Sequence, residues 1–211
     1  MLFRSVDDAA TKCLVVHERF SDECQRAAAE SSVPAHARFA VGDVPGFRPF
    51  EELVDGQPTT RPDDREAGSP MFYTSGTTGR PKGVRRELSG ADPDAAAEAS
   101  GGLFLLFGIT PHDDGVHLTQ APLYHTAVNN WTTTSLNWGH AVVLMDRWTP
   151  EGALERIDRY RVTQSHMVPT MFHRLLAMPE EERAGYDVGS LRQMIHAAAP
   201  CPVETDRKSV V

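Results

Sequence analysis

The sequence predicts an α/β fold in which a mostly parallel β-sheet is flanked by helices. Short apolar runs of strand length alternate with segments of helical periodicity along most of the chain, which is the pattern of βαβ units. Helix-start signals recur between the runs, because Asp92-Pro93 and Thr149-Pro150 each place a capping side chain before a first-turn proline. The 211 residues suffice for one sizeable domain or two small ones.

The first half of the chain alternates predicted strands and helices around a polar loop. The segment "KCLVVH" reads as a buried strand, and "RFSDECQRAAAE" has helical periodicity. Residues 55–70 are rich in Pro, Asp, Thr and Gly and are predicted as a loop. The predicted strands are 12–17, 37–42, 70–75 and 83–88, and the predicted helices are 19–30, 47–54 and one from Asp92 toward Phe107.

The second half continues the alternation with clearer helix starts. In the helix that follows Thr149, Leu154 and Ile157 share one face and Arg161 lies one turn further on. The predicted strands are 115–123, 141–145, 162–168 and 191–197, and the other predicted helices are 126–138 and 169–178.

Composition excludes several classes of protein. The formal net charge of −8 and the absence of a basic stripe argue against nucleic-acid binding. The longest apolar run, "GGLFLLFGI", is about half of the ~18 residues that a membrane helix needs, and "MLFRSVDD" lacks the order of a signal peptide. Cys13, Cys24 and Cys201 are far apart and odd in number, which predicts reduced thiols and a cytoplasmic location.

The segment "YTSGTTGRPKGV" (73–84) predicts a phosphate-binding loop. Its glycines let backbone amides approach a ligand closely, its hydroxyls add donors, and Lys82 adds a compact positive charge. Pro81 stiffens the loop just before the lysine and so reduces the entropy lost on binding. The GxxxxGK[ST], GxGxxG and GxSxG motifs are absent, so this is not the commoner phosphate loop, a dinucleotide turn or a nucleophile elbow.

This segment resembles the phosphate-loop signature of the adenylate-forming enzymes, which include acyl-CoA synthetases, firefly-type luciferases and the adenylation domains of peptide synthetases. Two further stretches follow in the family's order: "APLYHT" (121–126) and "HAAAPCP" (196–202) resemble its carboxylate-pocket and adenine-turn motifs. The stretch "VPTMFHRLLAMPEEER" (168–183) looks most like bacterial medium- and long-chain fatty acyl-CoA synthetases. The resemblance implies part of the large N-terminal domain of that fold, from about Asp7 to Glu204.

The resemblance also implies roles for individual residues. Tyr124 and His125 would line the acyl pocket, and Cys201 stands where the family usually has leucine. The expected adenine-binding residues are Ala198, Ala199 and Pro200, and those expected to bind the ATP phosphates are Thr74, Ser75, Gly76, Thr77, Thr78, Gly79 and Lys82. CoA would be a co-substrate. The family's Mg²⁺-binding glutamate and adenylation lysine have no counterpart in this chain, so no catalytic residue or metal ligand is expected here.

Several side chains allow a structural interpretation beside the functional one. His125 is equally compatible with a histidine hydrogen-bonded at a strand end. Phe104, Trp131 and Trp138 could wall an acyl tunnel, but core packing is the expected role. The segment "TPHDDG", with nearby His117, is expected to be a solvated turn rather than a metal site. Arg85 and Arg86 are expected on a solvated strand face.

The resulting hypothesis is a fragment of a cytoplasmic fatty acyl-CoA synthetase, which converts ATP and a fatty acid to acyl-AMP and then, with CoA, to acyl-CoA. The alternatives are a ligase for an amino or aryl acid and a non-catalytic nucleotide-binding module. "MLFRS" and "DRKSVV" back-translate, in frame with a start and a stop, to sequencing-adapter ends. We therefore expect residues 6–205 to be a domain fragment that lacks the small C-terminal domain and is inactive alone, with 1–5 and 206–211 adapter-derived.

Overall fold

The computed structural model describes residues 2–74, 82–197 and 199–203, which fall into two compact units that divide between Gly90 and Ala91. Both units contain parallel sheets with flanking helices, so the predicted α/β class is confirmed. None of the described helices combines the length and apolar character that are needed to span a bilayer.

The first unit contains a small parallel sheet and a separate hairpin. The parallel sheet has the order β1-β2-β3, and the hairpin pairs β4 with β5 in antiparallel fashion. The elements are α1 (Leu2–Asp8), β1 (Leu14–His17), α2 (Ser21–Glu30), β2 (Arg38–Val41), β3 (Arg48–Pro49), α3 (Glu51–Val54), β4 (Phe72–Thr74) and β5 (Lys82–Val84).

The second unit is built on a four-stranded parallel sheet with the order β7-β6-β8-β9. Helices connect the strands, as the sequence predicts for βαβ units. The elements are α4 (Pro93–Ser100), α5 (Gly102–Leu106), β6 (Val116–Thr119), α6 (Thr126–Asn137), β7 (Ala141–Leu144), α7 (Pro150–Tyr160), β8 (Gln164–Met167), α8 (Pro169–Leu176), α9 (Glu180–Arg183) and β9 (Gln193–His196).

The second unit has an apolar cluster on each face of its sheet. On one side Leu118 packs with Ile157 of α7 and with Val162. On the other side, the cluster contains Phe104, Ile109, Trp131 and Trp138, all at most 6% exposed. Phe104 stacks on Trp131 with ring centroids 4.5 Å apart and meets Trp138 edge-on at 5.5 Å. The core role expected for these aromatic residues is confirmed.

Helix α7 begins and ends as its sequence indicates. The hydroxyl of Thr149 accepts a hydrogen bond from the Gly152 amide at 2.9 Å, and Pro150 occupies the first turn. The helix ends at Tyr160, since Arg161 adopts a left-handed conformation with φ 53°. Arg161 therefore terminates the helix and does not extend its face.

Several sequence-based predictions need correction. Strand β1 is not buried: it pairs only with β2 among the described residues, and Val15 is 47% exposed. The helix expected from Asp92 to Phe107 breaks at Gly101, where the ring of Trp138 leaves no room for a side chain. Residues 85–88 are not in a strand, because β5 ends at Val84. The segment 47–54 begins with β3, and helices α1 and α9 were not expected.

Candidate functional site

The predicted phosphate loop closes an antiparallel hairpin. Strands β4 and β5 pair Tyr73 with Gly83 and Thr74 with Lys82, so both ends of the loop lie side by side. The side chains of Thr74 and Lys82 lie outside the described part of the chain, as do the remaining predicted phosphate-binding residues Ser75, Gly76, Thr77, Thr78 and Gly79. The structure therefore positions the two ends of the loop and leaves its ligand contacts as predictions.

Gly83 lies close to two side chains of this hairpin. A Cβ atom built there would lie 2.5 Å from the terminal methyl of Met71 and 3.0 Å from Cζ of Tyr73. The Tyr73 hydroxyl in turn donates to the carbonyl of Ser5 in α1 at 3.3 Å. Its pKa lies above the usual value because of partial burial, with a smaller contribution from the charge of Asp8. The strand entering the loop is thus held on two sides.

A cavity of about 550 Å³ lies beside the hairpin in the same unit. Its walls come from residues just before β4 and just after β5, together with Ala9. Arg85 and Arg86 line the cavity and are solvent-exposed, as the sequence predicts, although they leave the strand rather than continue it.

Tyr124 and His125 follow the carboxyl end of β6 and immediately precede α6. Their rings lie 4.5 Å apart, and Tyr124 is 76% exposed. His125 occupies the N-cap position of α6, and its side chain makes no capping hydrogen bond. The structure brings these two residues together at an exposed edge of the sheet.

The predicted adenine turn lies at the corresponding end of another strand. Ala199 and Pro200 are exposed just after β9, whereas Ala198 lies outside the described residues. Because β6 and β9 belong to one parallel sheet, their carboxyl ends share one edge, which is where ligands bind in open α/β sheets. Both predicted pockets of the second unit therefore lie along the same edge.

The four-stranded sheet carries buried polar residues that the sequence reasoning missed, on the face that Leu118 and Ser165 share. Trp148 Nε1 donates to Gln120 Oε1 at 2.8 Å, and Gln120 Nε2 donates to Ser165 Oγ at 2.6 Å. Ser165 Oγ donates in turn to the carbonyl of Leu118 at 2.6 Å. The available signal was the polar strand "QSHM", which is fully buried although a buried strand is usually apolar. Gln120 lies just beyond β6, at the sheet edge described above.

The turn before β6 is a local hydrogen-bonded structure. Asp113 Oδ1 accepts from the Gly115 amide at 2.7 Å, and Asp113 Oδ2 accepts from the Thr110 hydroxyl at 3.2 Å. No group of His, Cys, Asp or Glu within the described residues is arranged to hold a metal ion. Cys13, Cys24 and Cys201 are free, as expected for reduced thiols.

The sequence model of the AMP-binding enzyme family matches residues 3–210, and the chain therefore belongs to that family. It is 29% identical to 2-succinylbenzoate--CoA ligase of Bacillus pumilus over 91% of its own length and 38% of that protein. It is 34% identical to 4-coumarate--CoA ligase 1 of Arabidopsis thaliana over 74% of its length and 26% of that protein. The chain thus spans well under half of the curated relatives that it matches.

The fold matches that of solved structures of adenylate-forming enzymes. ATP-bound MatB from Rhodopseudomonas palustris superimposes with a TM-score of 0.68 and 26% identity, over 98% of this chain and 39% of that one. The predicted architecture, part of the N-terminal domain of that fold, is confirmed.

Proposed function

We propose that this chain carries the ATP-binding segment of an AMP-forming acid–thiol ligase. In that reaction a carboxylate attacks the α-phosphorus of ATP to give an acyl adenylate and pyrophosphate, and the CoA thiol then displaces AMP to form a thioester. The single observation that carries the proposal is the phosphate-loop signature closed by the β4–β5 hairpin, which sets Thr74 beside Lys82.

The loop acts by electrostatics rather than by nucleophilic attack. Its amides and hydroxyls donate to the β- and γ-phosphates, and Lys82 neutralises charge that develops on the departing pyrophosphate. The pairing of the two ends of the loop favours this role, since a loop with fixed ends loses less entropy when the ligand binds. The described residues include no cluster suited to Mg²⁺, so we derive no step through that ion.

The sheet edge of the second unit supplies the other two subsites. The adenine ring lies against Ala198, Ala199 and Pro200 after β9, and the carboxylic acid lies near Tyr124 and His125 after β6. This assignment is supported by the shared carboxyl edge of the two strands and by the exposure of both segments.

The acid is a fatty acid, on the strength of the resemblance of residues 168–183 to fatty acyl-CoA synthetases. An aryl acid is the second candidate, because the curated relatives named above are ligases of 2-succinylbenzoate and 4-coumarate. Saturation-transfer NMR on the 211-residue chain with ATP present separates the two. We expect saturation transfer to octanoate, and we expect this signal to weaken in Tyr124→Ala. Saturation transfer to 4-coumarate and not to octanoate favours the aryl acid. ATP binding without either acid favours the non-catalytic alternative.

The loop assignment is tested by calorimetric titration of the chain with ATP and with pyrophosphate. Lys82→Ala removes one charged donor, which is worth about 1.5–3 kcal/mol, so we expect affinity to fall roughly tenfold to a hundredfold. Arg86→Ala is the matched control, since this exposed cation lies outside the loop and its removal leaves affinity within about twofold. Equal losses in both variants, or none in Lys82→Ala, contradict the assignment.

A further inference from the structure

Imidazole rings are concentrated beneath helix α6. His117 of β6 is 1% exposed, His166 of β8 is 6% exposed, and His140, between α6 and β7, is 4% exposed. We call these three residues the histidine cluster. It lies at the contact between α6 and the sheet, because Trp131 of α6 stacks over His166 with ring centroids 6.1 Å apart.

His117 shares the sheet face that α6 covers. It pairs in register with Gln164, so the two side chains point to the same side of the sheet. Gln164 Nε2 approaches Ser135 Oγ of α6 at 3.5 Å, and two residues beyond His117 the hydroxyl of Thr119 lies 2.8 Å from that of Thr132 in α6. His117 therefore lies on the sheet face that packs against this helix.

The three imidazole rings differ in the hydrogen bonds that their nitrogens make. Gln164 Nε2 can only donate, so Nδ1 of His140 accepts at 3.0 Å and the ring carries its proton on Nε2. That Nε2 lies 2.9 Å from the carbonyl of Thr110 and 3.1 Å from Asp113 Oδ1. By contrast, Nδ1 of His117 and Nε2 of His166 are buried without a hydrogen-bond partner.

A proton taken up at Nδ1 of His117 finds no hydrogen-bond acceptor within reach among the described residues. An imidazolium donates from both ring nitrogens, so each nitrogen of a charged His117 needs a hydrogen-bond acceptor. Helix α6 ("TAVNNWTTTSLN") and strand β7 ("AVVL") contain no titratable side chain. The neighbouring titratable groups are His166 and, beyond it, His196 of β9, together with His140, whose Nε2 engages Asp113.

We propose that the contact between α6 and the sheet is an acid-sensitive seam, closed while His117 and His166 are neutral and opened when His117 takes up a proton. The N-cap of α6 is His125, so opening the seam also displaces the Tyr124–His125 segment. The inference concerns the packing of the second unit and does not depend on the proposed ligase reaction.

The direction of the pH dependence follows from the burial. Burial, together with smaller contributions from the neighbouring His166 and His140, lowers the pKa of His117 from 6.5 to about 4. The pKa of His166 is also lowered, by burial first and by His196 second. Because the closed form binds the proton more weakly, it is fully favoured above about pH 6.5. As the pH falls from 6.5 to 4, the equilibrium constant for closing decreases by up to about tenfold per pH unit. Between pH 7.5 and pH 5, protonation of His117 lowers this equilibrium constant roughly thirtyfold.

Amide hydrogen exchange on the 211-residue chain tests the seam. Protection factors, corrected for the intrinsic pH dependence of exchange, are compared for α6 and for α7 at pH 7.5 and pH 5. We expect protection of α6 to fall roughly thirtyfold or more relative to α7. The double variant His117→Gln/His166→Gln should abolish this fall, whereas the exposed control His173→Gln on α8 should keep it.

Side-chain NMR titration of the unmodified protein keeps the test decisive if the double variant fails to fold. The imidazole of His117 should remain neutral at pH 5.5 while α6 is seated. A His117 ring that is already charged at pH 5.5, or an α6 whose protection does not fall by pH 5, overturns the proposal.

Discussion

Replacing Trp131 distinguishes a core residue from the wall of an acyl tunnel. The indole is 6% exposed, stacks on Phe104 at 4.5 Å and lies 5.7 Å from the ring of Phe107. Trp131→Ala removes the whole ring from this cluster and leaves a cavity that the neighbours fill only in part. Such truncations cost about 3–5 kcal/mol, which is a large share of the roughly 5–15 kcal/mol stability of a domain.

Urea unfolding followed by far-ultraviolet circular dichroism measures this loss. Trp131→Phe provides a milder step, since it keeps an aromatic ring against Phe104 and should cost less than the alanine variant. Leu106→Ala is the control: this side chain is 80% exposed, and its removal should change the free energy of unfolding by no more than about 0.5 kcal/mol. If Trp131→Ala is as stable as Leu106→Ala yet no longer binds octanoate, the residue lines a tunnel and the core assignment is wrong.

Two further substitutions test local packing and capping by the same unfolding measurement. Gly101→Ala should lower the free energy of unfolding by about 1–3 kcal/mol or more, because the new Cβ would lie 1.7 Å from Cζ2 of Trp138. Gly102→Ala is the control, since its Cβ meets no atom within 4 Å and should change the free energy of unfolding little. Equal effects would show that the Trp138 ring moves aside freely. Thr149→Ala removes the N-cap of α7 and should lower the free energy of unfolding by about 1 kcal/mol. Thr170→Ala, at an exposed position, should change it by no more than about 0.5 kcal/mol. No difference between the two variants would mean that the cap does not stabilise the helix.

Local signals predicted most of the fold. Helix α7 was predictable since Thr149 and Pro150 act through the adjacent backbone, and the four-stranded sheet follows from strands spaced by helices. The break at Gly101 was not predictable, because it depends on Trp138, which is distant in sequence. The exposure of β1 has a similar cause, since apolar composition does not reveal how many neighbours a strand acquires.

The candidate site was predictable to a different extent in each part. The phosphate-loop signature and the strand entering it could be read from sequence, but the antiparallel pairing of Thr74 with Lys82 required the structure. The polar contact beneath α6 was missed for a physical reason. Gln164 looks unsuited to an interior until its hydrogen-bond partners, Ser135 and His140, are known.

Residue-resolved NMR mapping of ligand binding tests the phosphate-loop assignment most directly. Pyrophosphate is titrated into the ¹⁵N-labelled 211-residue chain while every assigned backbone amide is observed. The largest shifts should fall within residues 74–84, including Gly83 at the hairpin base, and they should shrink in Lys82→Ala. Shifts centred on another segment, or no saturable shift at all, would contradict the assignment of this loop as the site that binds the phosphates of ATP.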